Sequence, residues 1–160
     1  MKSLSTREDV ETSLSELGRQ LALRDTNPVT VLCCGAAALC ALGILERRTL
    51  DVDTLGLIGK SGEIFAVEEF PLEISDAIEA AGRKLGLAPD WFNSAASAVL
   101  SRGLPEGCLE RSAKHTVEFG PCLTVRFMDR LDLVALKMYA ALDPKDGRRH
   151  IEDLVEIKVE

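Results

Sequence analysis

Positive charge, aromatic surface and histidine are all in short supply in this chain of 160 residues. Nineteen Lys and Arg face 26 Asp and Glu, giving a formal net charge of −7 and a pI near 5.0, so no molecule-wide positive field exists to collect nucleic acid. Any polyanion partner must use a local basic patch, for which Arg47, Arg48, Lys145, Arg148 and Arg149 are the candidates. One Trp, one Tyr and five Phe leave little ring surface on which unpaired bases could stack. The only histidines, His115 and His150, lie too far apart in sequence to suggest a metal site and read as solvent-facing or capping groups; no Ser-His-Asp or Cys-His arrangement is legible. The cysteines are odd in number and lack metal-ligand spacing, which fits core thiols in a reducing compartment. The longest apolar stretch, Val29 to Ile44, is interrupted by Thr30 and Gly35 and is too short to cross a bilayer. Residues 1–9 carry charge where a signal peptide needs an apolar stretch, so the expectation is a cytoplasmic protein without membrane contact.

What is present is a 46% hydrophobic chain, enough for one globular domain with its own core over residues 1–160. Thr6 with Asp9 reads as a capping box, and Val10, Leu14, Leu17 and Leu21 follow on one helical face, predicting a helix over 6–25. The core is expected over 29–155. Val29 to Cys34 reads as a strand buried on both faces, Gly35 breaks it, and residues 36–42 form a buried Ala-rich helix. Residues 49–58 and 63–67 read as strands joined by the turn Gly59-Lys60-Ser61-Gly62, and Ile74 to Leu85 as an amphipathic helix closed by Gly86. Residues 90–103 read as short helical or turn structure, and 103–110 as loop. Strands are expected at 115–119 and 122–128, then a helix capped by Asp129 and a last helix over 151–157. This order predicts an α+β fold, a small mixed sheet flanked by helices.

The chemistry-bearing stretch runs from Val31 to Leu57. Asp51 and Asp53 stand two apart in a predicted strand, which aims both carboxylates to one side with Cα atoms roughly 6–7 Å apart. Adjacent carboxylates repel unless a cation lies between them, and magnesium is the common solution, sharing its shell with substrate phosphates. The helix that follows Gly35 offers free N–H groups to a phosphate. On their own, the two aspartates read more simply as the wet face of an edge strand, and Lys137 and Asp153 as solvated helix charges.

The segment Cys34-Gly35-Ala36-Ala37-Ala38-Leu39, followed by Leu42-Gly43-Ile44-Leu45-Glu46-Arg47-Arg48-Thr49-Leu50-Asp51-Val52-Asp53, resembles the nucleotidyltransferase superfamily with the polymerase β-type fold, and within it the AbiEii-like and DUF6036-like bacterial proteins. That pattern is Gly-Gly or Gly-Ser after the first strand, an Ala-Leu helix, then Arg-x-Thr-x-Asp-x-Asp. The segments 90–93, 123–140 and 150–154 resemble later parts of the same family, in order, so the likeness spans about residues 29–155.

The resemblance implies a nucleotidyltransferase-like fold in which Asp51 and Asp53 hold Mg2+ and a nucleoside triphosphate. Gly35 and Ala36 would form the phosphate turn, with Arg48 and Thr49 also nucleotide-binding. Lys137 would neutralise phosphate charge, and Asp153 would complete the acidic site. The expected activity is transfer of NMP from an NTP to an RNA (tRNA) or protein acceptor, in a protein resembling the toxin half of a toxin–antitoxin pair with an antitoxin protein as partner. Two departures support a second reading. Ala36 stands where the family carries Gly or Ser, and no third acid after Asp53 fits the pattern, although Glu63, Glu68 and Glu69 are near. The alternative is a catalytically inactive module that keeps the fold and serves as a binding partner or nucleotide sensor.

Overall fold

The computed structural model describes residues 1–142 and 147–158, and of Arg149 the backbone alone. Helix α1 (Arg7–Leu23) starts on Thr6, whose Oγ1 accepts from the Asp9 amide at 3.2 Å while the Asp9 carboxylate accepts from the Thr6 amide at 3.2 Å. This reciprocal cap satisfies two amides that the first turn would leave unpaired. Its apolar stripe of Val10, Leu14, Leu17 and Leu21 is fully buried.

Strand β1 (Val29–Cys34) lies in the middle of the sheet, which explains why its sequence has almost no polar residue. It runs antiparallel to β2 (Val52–Ile58) and parallel to β6 (Leu123–Phe127); β3 (Ile64–Phe65) and β5 (Thr116–Glu118) close the order β3-β2-β1-β6-β5. Strand β4 (Phe92–Asn93) adds a short parallel pairing to the start of β2. With helices α2 (Gly35–Ala41), α3 (Leu72–Leu85), α4 (Cys108–Ser112), α5 (Arg130–Ala140) and α6 (Gly147–Glu156), this is an α+β fold with a mixed sheet.

Most elements lie where the periodicity put them. Gly86 ends α3 in the left-handed conformation, φ +69°, and the Asp129 carboxylate caps α5 by accepting from the Leu131 amide at 2.9 Å. Trp91 is fully buried; its indole donates to the Ile78 carbonyl at 2.9 Å, and its ring lies against Gly82, where a Cβ would collide with it.

Two local expectations are corrected. Strand β2 begins at Val52, three residues later than the alternation suggested, because Thr49 is taken up in a bridge to Leu4. The loop expected over 103–110 gives way at Cys108 to α4 (Cys108–Ser112), whereas the 3-10 helix Ala95–Arg102 falls within the short helical or turn structure expected over 90–103. The five cysteines are all buried and free, as core thiols should be. Among the described residues no helix is long and apolar enough to cross a membrane.

Candidate functional site

At the end of β1 the chain turns through Gly35 at φ +73° into α2, a conformation that glycine adopts without cost. Asp53 on β2 sits opposite Cys34 in the ladder, so the two side chains face the same side of the sheet. The Asp53 carboxylate lies over Gly35, so close that a Cβ added there would run into it. Two features of the sequence therefore meet: the glycine break makes the room that the aspartate occupies.

Both residues line a cleft of about 540 Å³ covered by the 3-10 helix and α5. Leu55, Val99 and Leu136 supply apolar wall, while Lys137, Arg102 and His150 bring basic groups to the same space. At the rim, the Arg102 guanidinium lies 5.1 Å from the centre of the Tyr139 ring, a cation–π contact. An apolar-walled cleft lined by one carboxylate and by the basic side chains Lys137 and Arg102 suits a multivalent anion, alone or with a divalent ion.

Lys137 is a buried lysine whose ammonium pairs with Asp153 of α6. Asp153 is only 2% exposed and also pairs with Arg47, so one carboxylate ties α5, α6 and the link before β2 together. A carboxylate buried between two cations keeps its charge and holds their side chains in place. Asp153, expected to complete the acidic site, thus lies behind Lys137 rather than on the cleft wall.

The remaining expected residues disperse. Asp51 precedes β2, so strand alternation does not reach it; its carboxylate accepts from the Thr49 hydroxyl at 2.9 Å, and it is not among the cleft-lining residues. Of the two aspartates expected to aim at one point, Asp53 lines the cleft and Asp51 turns its carboxylate to Thr49. Thr49 is buried in the bridge to Leu4, Arg48 is exposed away from the cleft lining, and Ala36 lies one residue inside α2 without lining the cleft. Of the proposed basic patch, Arg47 is committed to Asp153 and Arg148 pairs with Glu152 along α6, while Lys145 and the Arg149 side chain lie outside the described residues.

His150, read from sequence as a solvent-facing or capping group, lines the cleft. Arg102, Tyr139 and His150 carried no signal a sequence reading could use, because single charged or aromatic residues on separate elements converge only through tertiary packing. Cys34 forms part of the cleft floor; burial first, and then the negative charge of Asp53, push its thiol far above the ordinary range, so it stays protonated.

Among the described residues no group of three or more His, Cys, Asp or Glu side chains is arranged to hold a metal ion. The single Asp53 carboxylate remains compatible with magnesium, which is commonly held by one or two carboxylates together with substrate phosphates and water. Comparison with protein-family profiles, with curated proteins and with solved structures finds no match to this chain.

Proposed function

We propose that the cleft binds a nucleoside triphosphate with magnesium and transfers its nucleotidyl group to an acceptor hydroxyl on an RNA end or a protein. The observation that carries this reading is the meeting of Asp53, Gly35 and Lys137 in one cleft. Asp53 would hold the ion jointly with the phosphates, and the bound ion would offset charge on the phosphate groups. Lys137, fixed from behind by Asp153, presents a point charge to the triphosphate, and Arg102 adds a second cation at the rim. The base and ribose would lie along Leu55, Val99 and Leu136. In the reaction the acceptor oxygen bonds to the α-phosphorus, the bond to the β-phosphate bridge breaks, pyrophosphate leaves, and the hydroxyl proton passes to water. Positioning and electrostatics supply most of the rate in such chemistry. The resemblance to toxin–antitoxin nucleotidyltransferases makes a toxin role part of this proposal.

A second reading is favoured by Asp51. With its carboxylate turned to Thr49 and one acid on the cleft wall, the chain suits nucleotide sensing without transfer. Calorimetry with ATP, CTP, GTP and UTP in magnesium tests what both readings share: wild type binds at least one, and Asp53→Ala weakens that binding roughly tenfold or more, a change of about 1.4 kcal/mol. No binding by wild type, or equal binding by the variant, rules out the site. Transfer of α-phosphate label to bulk tRNA or to purified protein then supports the enzyme; a chain that binds nucleotide and labels no acceptor is the sensor.

A further inference from the structure

We infer that a second hollow, between residues 64–68 and 94–110, is a docking groove for a cationic, aliphatic peptide segment of a protein partner. It is a trough of about 990 Å³, larger than the cleft and open to solvent. Its walls include Ile64, Leu100, Leu104 and Leu109, all only partly buried. Two exposed glutamates, Glu68 and Glu110, line it, and among the described residues no Lys, Arg or His does. A shallower hollow next to it shares Glu68 and adds Glu69, extending the negative border.

These properties select the occupant by chemistry. The carboxylates repel phosphate backbones and anionic lipid surfaces, in a molecule whose net charge is already −7. A small polar metabolite needs several convergent donors and acceptors, whereas this lining is mainly aliphatic. Leucine-like side chains flanked by Lys or Arg satisfy both parts, the apolar walls by burial and the glutamates by charge complementarity, which also speeds encounter. The groove is preformed as well. The Val67 amide donates to the Ser97 hydroxyl at 3.1 Å and the Ser94 hydroxyl donates to the Glu68 carbonyl at 2.9 Å, clipping one wall to the other.

The 3-10 helix Ala95–Arg102 is shared by both hollows. Ala96, Val99 and Arg102 line the cleft, while Ala98, Leu100 and Ser101 line the groove, so an occupant rests on the outer side of the cleft wall. Docking itself holds whether or not the cleft takes a nucleotide.

The test uses fluorescence anisotropy with a labelled amphipathic Lys/Leu peptide and its Glu/Leu counterpart on the full chain. Saturable binding of the Lys/Leu peptide is expected, weakened about tenfold or more by Glu68→Lys with Glu110→Lys. Glu8→Lys with Asp76→Lys, an equal charge change on exposed faces of α1 and α3, should alter it by less than about twofold. Ser101→Trp, which fills the groove without changing charge, should abolish it. The proposal is overturned by absence of saturable binding, by equal binding of the Glu/Leu peptide, by an equal loss in the control pair, or by full binding in Ser101→Trp.

Discussion

Glu16 shows how far a single environment can move one residue. Its carboxylate accepts from Arg19 at 2.6 and 3.0 Å, from Lys84 at 2.8 Å and from Gln20 at 2.8 Å, and the first of these contributes most to holding its pKa at about 2 rather than 4.5. A carboxyl depressed on folding stabilises the protein fully above its unfolded pKa, and that stability is lost as pH falls through the folded value. Glu16→Gln should therefore lower stability by about 1–3 kcal/mol at pH 7, allowing for the half-exposed cations. Urea unfolding at several pH values should show the gap from wild type closing between pH 4.5 and 2. The same attention to neighbours separates the two aspartates: one hydrogen bond to Thr49 occupies Asp51, and one glycine makes room for Asp53.

At the level of elements, the β1–α2 junction carries the local geometry on which the cleft depends. Gly35→Ala would place a Cβ against the Asp53 carboxylate and hold an L residue at φ +73°, a strain of roughly 1–2 kcal/mol before any displacement. A lowered melting temperature is expected together with weakened nucleotide binding in calorimetry; a variant as stable as wild type would mean that Asp53 shifts freely. Helix α2 is only seven residues long, so its dipole is a minor contributor, and the phosphate reading leans on Lys137 and Arg102. Helix α5 has a buried side carrying Leu133 and Lys137, and α6 lies against it with Asp153 turned inward. An acid and a base spaced sixteen residues apart gave no pattern in the sequence; the pairing of the two helices creates it.

Across the whole molecule, the buried cluster of Arg47, Lys137 and Asp153 links the middle of the chain to its last described helix. Removing the shared carboxylate takes away the anion that pairs with both Arg47 and Lys137. Asp153→Ala should cost about 3 kcal/mol or more, measured by denaturant unfolding, with faster amide exchange in α6. An unchanged midpoint would show that the cluster is solvated. A distinct ion pair elsewhere, Arg111 to Asp132 at 2.6 and 2.9 Å, fixes α4 onto α5 and borders Cys108, whose thiol burial pushes up to about 12.

The sequence alone determined the α+β class, the buried central strand, the caps at Thr6 and Asp129 and the glycine break at residue 35, because each rests on periodicity or on contacts within a few residues. Asp53 and Lys137, which read on their own as solvated charges and take their site roles from the family resemblance, both line the cleft. Only the tertiary structure decided that Asp51 turns to Thr49, that Asp153 is buried behind Lys137, and that Arg102, Tyr139 and His150 gather around the cleft. Spacing fixes direction inside a regular element; where one element stops and which side chains meet across elements depend on contacts between residues distant in the chain.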